Sequence, residues 1–243
     1  MAKIFIAIPE YKPWKEFEES MSLFLPEVNK QHDMEVYRTR GKSLVDAQNL
    51  IANKFLASDK DYLLFLEEDH WGHTIEMLNA LVESDTFICA IQYYSRHPGR
   101  ISCLLRYTGL KDYKHRYKEI PEAKGFEQCN LVPFGMTLIK RQLFDKIDEP
   151  YFRVNDYYEC DAEKDKPINS RATDQDFSNR VQAVGIIPIG CFNFNLTHRG
   201  IHRGNFMDYR KQDILDSFLD AEQRVINVGV KRIMAKRAEN KVA

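Results

Sequence analysis

What the chain lacks narrows its class first. No apolar run approaches the ~20 residues needed to span a bilayer, so no transmembrane segment is expected. The five cysteines (Cys89, Cys103, Cys129, Cys160, Cys191) are scattered, odd in number and free of any CxxC pair. That argues against a zinc ribbon or a disulfide framework and fits a reducing cytoplasm. The formal net charge is -1, so there is no global pull towards nucleic acid or acidic membranes; any such attraction has to come from local patches. Internal repeats, low-complexity tracts and a clear linker are missing too. The start, "MAKIFIAIPEYKPW", has one lysine and a short apolar run before proline and charge, and reads as a first strand rather than a signal peptide.

What remains is ordinary globular material. With 243 residues, 44% hydrophobic and 29% charged, the chain can bury one sizeable core. "KIFIAI" (3–8) predicts a buried strand ended by Pro9. "PWKEFEESMSLFLPEVNKQ" carries Trp14, Phe17, Met21, Phe24 and Leu25 near helical spacing, with Pro13 at a natural start. "MEVYRT" predicts a second strand. Ser43 opens a helix with Leu44, Ala47, Leu50, Ile51 and Phe55 on one stripe, and Ser43 and Asp46 have capping-box spacing. "DYLLFL" predicts a third strand, "TIEMLNALVES" a helix capped by Thr74, and "FICAIQYY" a fourth strand. This alternation predicts an α/β fold with a mostly parallel central sheet and helices on both faces. Runs such as "IFIAI" and "YLLFL" suit strands buried on both sides.

The second half is less regular. "NLVPFGMTLIKRQLFDKI" predicts a strand, a loop and a short helix, and residues 153–172 a polar loop. "TDQDFSNRVQAVG" predicts a helix closed by Gly185, and "IIPIGCFNFNLTHRG" a strand. The segment from Met207 to Asn240 has Ile214, Leu215, Phe218, Leu219, Val225 and Ile226 on one face and predicts a C-terminal helical tail. One domain over residues 1–243 is expected.

The stretch that carries chemistry is "YLLFLEEDHWGH" (62–73), where five apolar or aromatic residues stop at Glu67, Glu68 and Asp69. Ligands of open α/β sheets bind beyond the carboxyl ends of the parallel strands. In an extended strand, alternate side chains share a face, so Glu67 and Asp69 point together and Glu68 points away. Two converging carboxylates can hold a hard divalent cation, Mg²⁺ or Mn²⁺. The plainer reading is a solvated acidic turn. His70 and His73 raise a third reading, a zinc site of HxxH spacing, against which stands the lack of a partnering Cys or His cluster.

Four segments, in order, resemble GT-A glycosyltransferases, especially small family-2-like enzymes of bacteriophage and bacterial genomes. "FIAIPEY" resembles the first strand and nucleotide-binding loop. "SLVDAQNLIANKFLASDKDYLLFLEED" resembles the helix that usually reads "ARN", followed by the strand ending in the DxD motif. "VPFGMTLIKRQLFDKI" resembles the segment lining the donor and acceptor site. "ATDQDFSNRVQAVGI" with the later "THRG" resembles the "ED" helix and the metal-facing histidine. Together these span roughly residues 3–200. Three positions depart from the family's pattern: Glu67 stands for the first acid of DxD, Gln48 for the usual arginine, and Thr173 for the first acid of "ED".

The resemblance implies a metal-dependent transfer of a sugar from a nucleotide-sugar donor (a UDP- or GDP-sugar) to an acceptor hydroxyl. It divides the chain into a nucleotide-sugar-binding half (1–100), an acceptor-binding half (101–206) and the tail (207–243). It implies Asp69, Glu67 and His198 as ligands of Mn²⁺ or Mg²⁺, and Asp174 as general base. A helix-cap role for Asp174 and a hydrogen-bonding role for His198 are the plainer alternatives. It also places Pro9, Glu10, Tyr11, Arg40, Gln48, Asn49, Glu67, Glu68, Arg96 and Gly135 around the donor.

For the acceptor, "SRHPGRISCLLRYTGLKDYKHRYK" (95–118) mixes Arg96, Arg100, Arg106, Lys111, Lys114, Arg116 and Lys118 with Tyr107, Tyr113 and Tyr117. A second basic group (Arg199, His202, Arg203, Arg210, Lys211) follows His198. Basic residues interleaved with aromatics track phosphates and stack on bases. A hydroxymethylated base in DNA is therefore slightly favoured over a saccharide or glycan as acceptor. A non-catalytic nucleotide-sugar-binding protein is the remaining alternative. Oligomeric state is not legible.

Overall fold

A computed structural model of the chain describes residues 1–11, 14–93, 104–107, 117–119, 124–153, 160–161, 166–167, 173–202 and 205–209. In chain order the first half runs β1 (Lys3–Glu10), α1 (Lys15–Gln31), β2 (Asp33–Arg40), α2 (Leu44–Ala57), β3 (Tyr62–Leu66), β4 (His70–Trp71), α3 (Ile75–Glu83) and β5 (Ile88–Tyr93). The second half runs β6 (Leu105–Tyr107), β7 (Tyr117–Glu119), β8 (Phe126–Gln128), β9 (Met136–Lys140), α4 (Arg141–Phe144), β10 (Cys160–Asp161), β11 (Lys166–Pro167), α5 (Thr173–Ala183), β12 (Ile189–His202) and β13 (Asn205–Tyr209).

The main sheet has the order β13-β12-β5-β9-β3-β1-β2, with β4 and β8 pairing onto β12. Strand β1 is parallel to β2 and β3, and β12 is parallel to β5. Strand β9 is antiparallel to both β3 and β5, so β2, β1, β3, β5 and β12 all run one way with β9 reversed among them, while β13, β4 and β8 lie antiparallel to β12. This is the expected α/β architecture with a mostly parallel sheet. The alternation of short apolar runs and amphipathic helices dictates it, because neither element can bury its apolar side alone.

Period-two alternation along the strands sorts the core into two layers. Phe5, Ala7, Leu63 and Phe65 face Ile51, Ala52 and Phe55 of α2, Leu143 and Phe144 of α4, and Phe177 and Val181 of α5. Ile4, Ile6, Ile8, Leu64 and Leu66 face Phe17, Met21, Phe24 and Val28 of α1 and Met77, Leu78 and Leu81 of α3. Burying each of the larger of these side chains contributes about 2 kcal/mol. In the first layer Phe152 stacks on Phe177 at 4.8 Å, and Phe134 meets Phe65, Phe152 and Phe177 edge-on or tilted. That aromatic knot ties α5 and the 130s segment to β3, the strand that carries the acidic trio.

Local details differ from the sequence expectation for physical reasons. Strand β1 continues through Pro9, which sits opposite Thr39 of β2. The pairing with β3 ends at Ala7 opposite Phe65, so the missing N–H of Pro9 disrupts no ladder on that side. Ser43 caps α2 by accepting from the Asp46 N–H at 3.2 Å, but the Asp46 carboxylate takes the Ser43 hydroxyl at 2.6 Å rather than a backbone N–H. Thr74 caps α3 weakly, accepting from Met77 N–H at 3.4 Å. Gly185 follows α5 with φ +80°, the left-handed conformation that ends helices cheaply only at glycine. Arg141 closes the other end of α2: its guanidinium donates to the carbonyls of Phe55, Leu56, Ser58 and Lys60 at 2.7–3.0 Å. Met207 to Tyr209, expected as the start of the helical tail, belong to β13 instead, antiparallel to β12. The rest of that tail lies outside the described residues. Among the described residues, no helix is long and apolar enough to cross a membrane.

Candidate metal centre

The carboxyl ends of β1, β2, β3 and β5 share one edge of the sheet, and the reversed strand β9 begins there. Strand β3 stops at Leu66, and the backbone turns at once, with His70 N–H donating to the Glu67 carbonyl at 3.2 Å. The trio is therefore a turn rather than extended chain, and simple alternation does not govern it. The turn delivers His70 into β4, which pairs antiparallel with β12 so that His70 stands opposite His198. Strand β12 reaches this place through an irregularity between Cys191 and Asn195, after which Leu196 aligns with Tyr93 at the end of β5. His198 thus projects just beyond β5, onto the edge where the trio lies.

Asp69, His70 and His198 converge there, with one ligand atom from each lying within 4.8 Å of the others. Asp69 Oδ1 is 2.8 Å from His70 Nδ1, and Asp69 Oδ2 is 3.4 Å from His198 Nε2. The two imidazoles are buried and lie face to face, 4.4 Å apart and within 5° of parallel. Tyr93 meets both rings edge-on, at 4.1 Å from His70 and 5.1 Å from His198. Burial works to raise the Asp69 carboxyl, but the charges and hydrogen bonds of His70 and His198 outweigh it and hold the group well below the usual carboxylate range. A carboxylate kept ionised beside two buried imidazoles is a donor set that fits a divalent metal.

The expected ligands are distributed unequally. Asp69 and His198 are brought together. Glu67 stands at the rim, its Oε2 4.0 Å from His70 Nδ1. Glu68 reaches back to the end of β1, where its Oε1 accepts from the Tyr11 N–H at 2.9 Å. His70 takes the third place in the cluster. His73, its partner in the HxxH reading, points elsewhere. It is buried between Phe17 and Phe24, with Nδ1 3.2 Å from the Ser20 hydroxyl. Ser20 Oγ accepts from the N–H groups of Gly72 and His73, so its proton goes to His73 Nδ1. Burial lowers the His73 imidazole to about 3, and neighbouring His70 adds to the fall. His73 is a neutral anchor between α1 and the site loop.

Around the edge, the other expected residues have definite roles. Glu10 is buried beside Pro9 and receives the guanidinium groups of Arg38, at 2.7 Å, and Arg40. Arg40 itself is 73% exposed and keeps donors open to solvent. Tyr11 is exposed beside it. Gln48 is wholly buried, and neither atom of its amide has a hydrogen-bond partner among the described residues. Asn49 is fully used by the fold: it donates to the Phe152 carbonyl at 2.6 Å and accepts from the Phe152 N–H at 3.0 Å. At Gly135 the close approach is by protein rings. An added Cβ would lie 2.6 Å from Tyr93 Cε1 and 3.0 Å from His70 Cδ2.

Asp174 lies in the first turn of α5, and its Oδ1 accepts from the Gln175 N–H at 2.8 Å. Burial raises its carboxyl above the usual range, against that hydrogen bond. Asp176, the nearby second acid, is paired with Arg153 at 3.1 Å and pins the chain before α5. Arg96, and most of the basic and tyrosine-rich run that contains it, lie outside the described residues. Cys89, Cys129 and Cys191 are buried thiols outside any disulfide, and burial pushes the Cys89 thiol up to about 12, which leaves it unreactive.

No protein-family model and no curated protein matches the chain. Among the 103 chains of solved structures that match, A197 from STIV aligns with a TM-score of 0.52, covering 86% of this chain and 95% of that one. Sequence identity is 17%, so the likeness is one of fold alone. It supports a GT-A-like fold.

Proposed function

We propose that the protein is a metal-dependent glycosyltransferase that moves a sugar from a nucleotide-sugar donor to an acceptor hydroxyl. The observation that carries this reading is the convergence of Asp69, His70 and His198 at the carboxyl edge of the parallel strands, where such folds bind their ligands. A divalent cation, when bound, neutralises charge on a leaving diphosphate. Asp69, His70 and His198 are the residues that would hold it, with Glu67 at the rim.

The remaining residues divide the work between binding and proton transfer. Arg40, anchored on Glu10 yet largely exposed, offers donors to donor phosphates. Gln48 holds an amide without a partner among the described residues, a cost of about 1–3 kcal/mol that a polar group of the donor offsets on binding. Tyr11, at the end of β1, stacks on the nucleotide. Asp174 takes the proton of the acceptor hydroxyl; a carboxyl raised by burial is the stronger base for that step. The favoured acceptor is a hydroxymethylated base in DNA, on the strength of the basic and aromatic run at 95–118.

Labelled UDP- and GDP-sugars, incubated with hydroxymethylated DNA and with oligosaccharides, test the reading. Label entering DNA supports both reaction and acceptor. Label entering only saccharide reverses the acceptor. Label that remains on intact donor with every acceptor removes the reaction.

A further inference from the structure

The metal set holds two imidazoles where a Mg²⁺ site needs none. We infer that His70 is a direct protein ligand, and that it makes the centre selective for a transition ion (the Zn²⁺, Co²⁺, Fe²⁺ or Mn²⁺ class) over Mg²⁺ and Ca²⁺. Imidazole is a borderline-soft donor that suits transition ions, whereas Mg²⁺ and Ca²⁺ take carboxylate, carbonyl and water oxygens. Three protein ligands also leave coordination positions open, as a site that must accept a substrate oxygen requires.

The backbone brings the donor atoms of His70, His198 and Asp69 together. His70 reaches the cluster only because the chain turns after β3 and pairs β4 with β12, which sets His70 opposite His198. Both rings are buried, at 1% and 6% exposure, so neither is a solvated surface histidine. Each oxygen of Asp69 faces a different ring. Tyr93 packs edge-on against both, and the absence of a side chain at Gly135 leaves room for Tyr93 and His70 together. Two buried imidazoles are thereby held beside one ionised carboxylate by the backbone on both sides; each coordinates through a lone pair in its ring plane, so one ion held by both turns the rings out of their parallel stack.

His70's role depends on the metal site of the proposed function but not on sugar transfer. The test therefore uses metal alone, without donor. Chelator-stripped protein is dialysed against Co²⁺, with and without a large excess of Mg²⁺, and the bound metal is measured by elemental analysis and by the visible Co²⁺ spectrum. One equivalent of Co²⁺ that Mg²⁺ fails to displace is the expected result. His70→Phe keeps a ring in the stack but removes the ligand, and lowers Co²⁺ affinity at least about tenfold, since even outer-shell changes cost that much. In Cu²⁺-loaded wild-type protein, electron spin echo modulation counts imidazole ligands directly and does not depend on a variant folding; two are expected. A single imidazole, displacement of Co²⁺ by comparable Mg²⁺, wild-type affinity in a folded His70→Phe, or no metal bound at all overturns the assignment. Selective metal binding together with failed sugar transfer removes the reaction and leaves His70 as a ligand.

Discussion

His70 and His198 stand opposite each other across the β4–β12 pairing, their rings stacked 4.4 Å apart. The pairing makes their separation a property of the backbone and not of two mobile side chains. Asp69 completes the set from the preceding residue, so its removal leaves two imidazoles without their anion. Asp69→Asn is expected to lower metal affinity by about a hundredfold, the upper end of what outer-shell losses cost. Metal titration followed by calorimetry reads this directly; unchanged affinity places the ion elsewhere.

Gly135 is the point at which packing and metal binding meet. An added methyl group would press within 2.6 Å of Tyr93, the ring that steadies both histidines. Gly135→Ala is expected to cost about 1–3 kcal/mol of stability and to weaken metal binding as well. Thermal unfolding and metal titration on the same variant separate the two effects. A variant with full stability and full affinity contradicts the packing described here.

Asn49 is a fold residue by its contacts. Its amide both donates to and accepts from the backbone of Phe152. Asn49→Ala is expected to destabilise the protein by about 1–3 kcal/mol, because it orphans a backbone N–H and a carbonyl. Denaturant unfolding measures this. A variant of native stability that loses donor binding returns Asn49 to the donor site.

His73 makes stability depend on pH. Its imidazole falls from 6.5 to about 3 on folding, so between those values the unfolded chain binds the extra proton. Stability from this group is complete above pH 6.5 and is lost as pH falls towards 3, at about 1.4 kcal/mol per pH unit. His73→Gln is expected to flatten the slope of unfolding free energy against pH in that window. An identical slope in the variant shows that His73 is not held neutral.

Asp174 separates chemistry from binding. Asp174→Asn keeps the Gln175 N–H contact and removes the proposed base. Donor Kd is expected to stay near wild type, while transfer falls about 10²–10⁴-fold. Unchanged turnover removes Asp174 from the mechanism.

The first half of the fold is legible in the sequence because it is local. Apolar runs such as "IFIAI" and "YLLFL" and the stripe on α2 carry their own periodicity. The insertion of β9 between β3 and β5 is not legible: "MTLIK" reads as a strand, but which strands flank it is decided by pairings far apart in the chain. The same limit hid the place of His70 beside Asp69 and His198. Strand alternation would turn it away from Asp69; the turn at Glu67–His70 and the partner strand β12, more than a hundred residues on, bring the two together. Asp69 and His198 stood out from the acidic trio and from "THRG". Asn49 stood out by motif alone, and its contact with Phe152 is a long-range one that no local pattern reveals.

Calorimetry of UDP- and GDP-sugars on metal-free protein, with and without Mn²⁺, and on Asp69→Asn, tests the central claim most directly. A donor that binds wild-type protein only with metal, and fails to bind Asp69→Asn in either condition, is the expected result. Donor affinity equal with and without metal, or no nucleotide sugar bound under any condition, contradicts it.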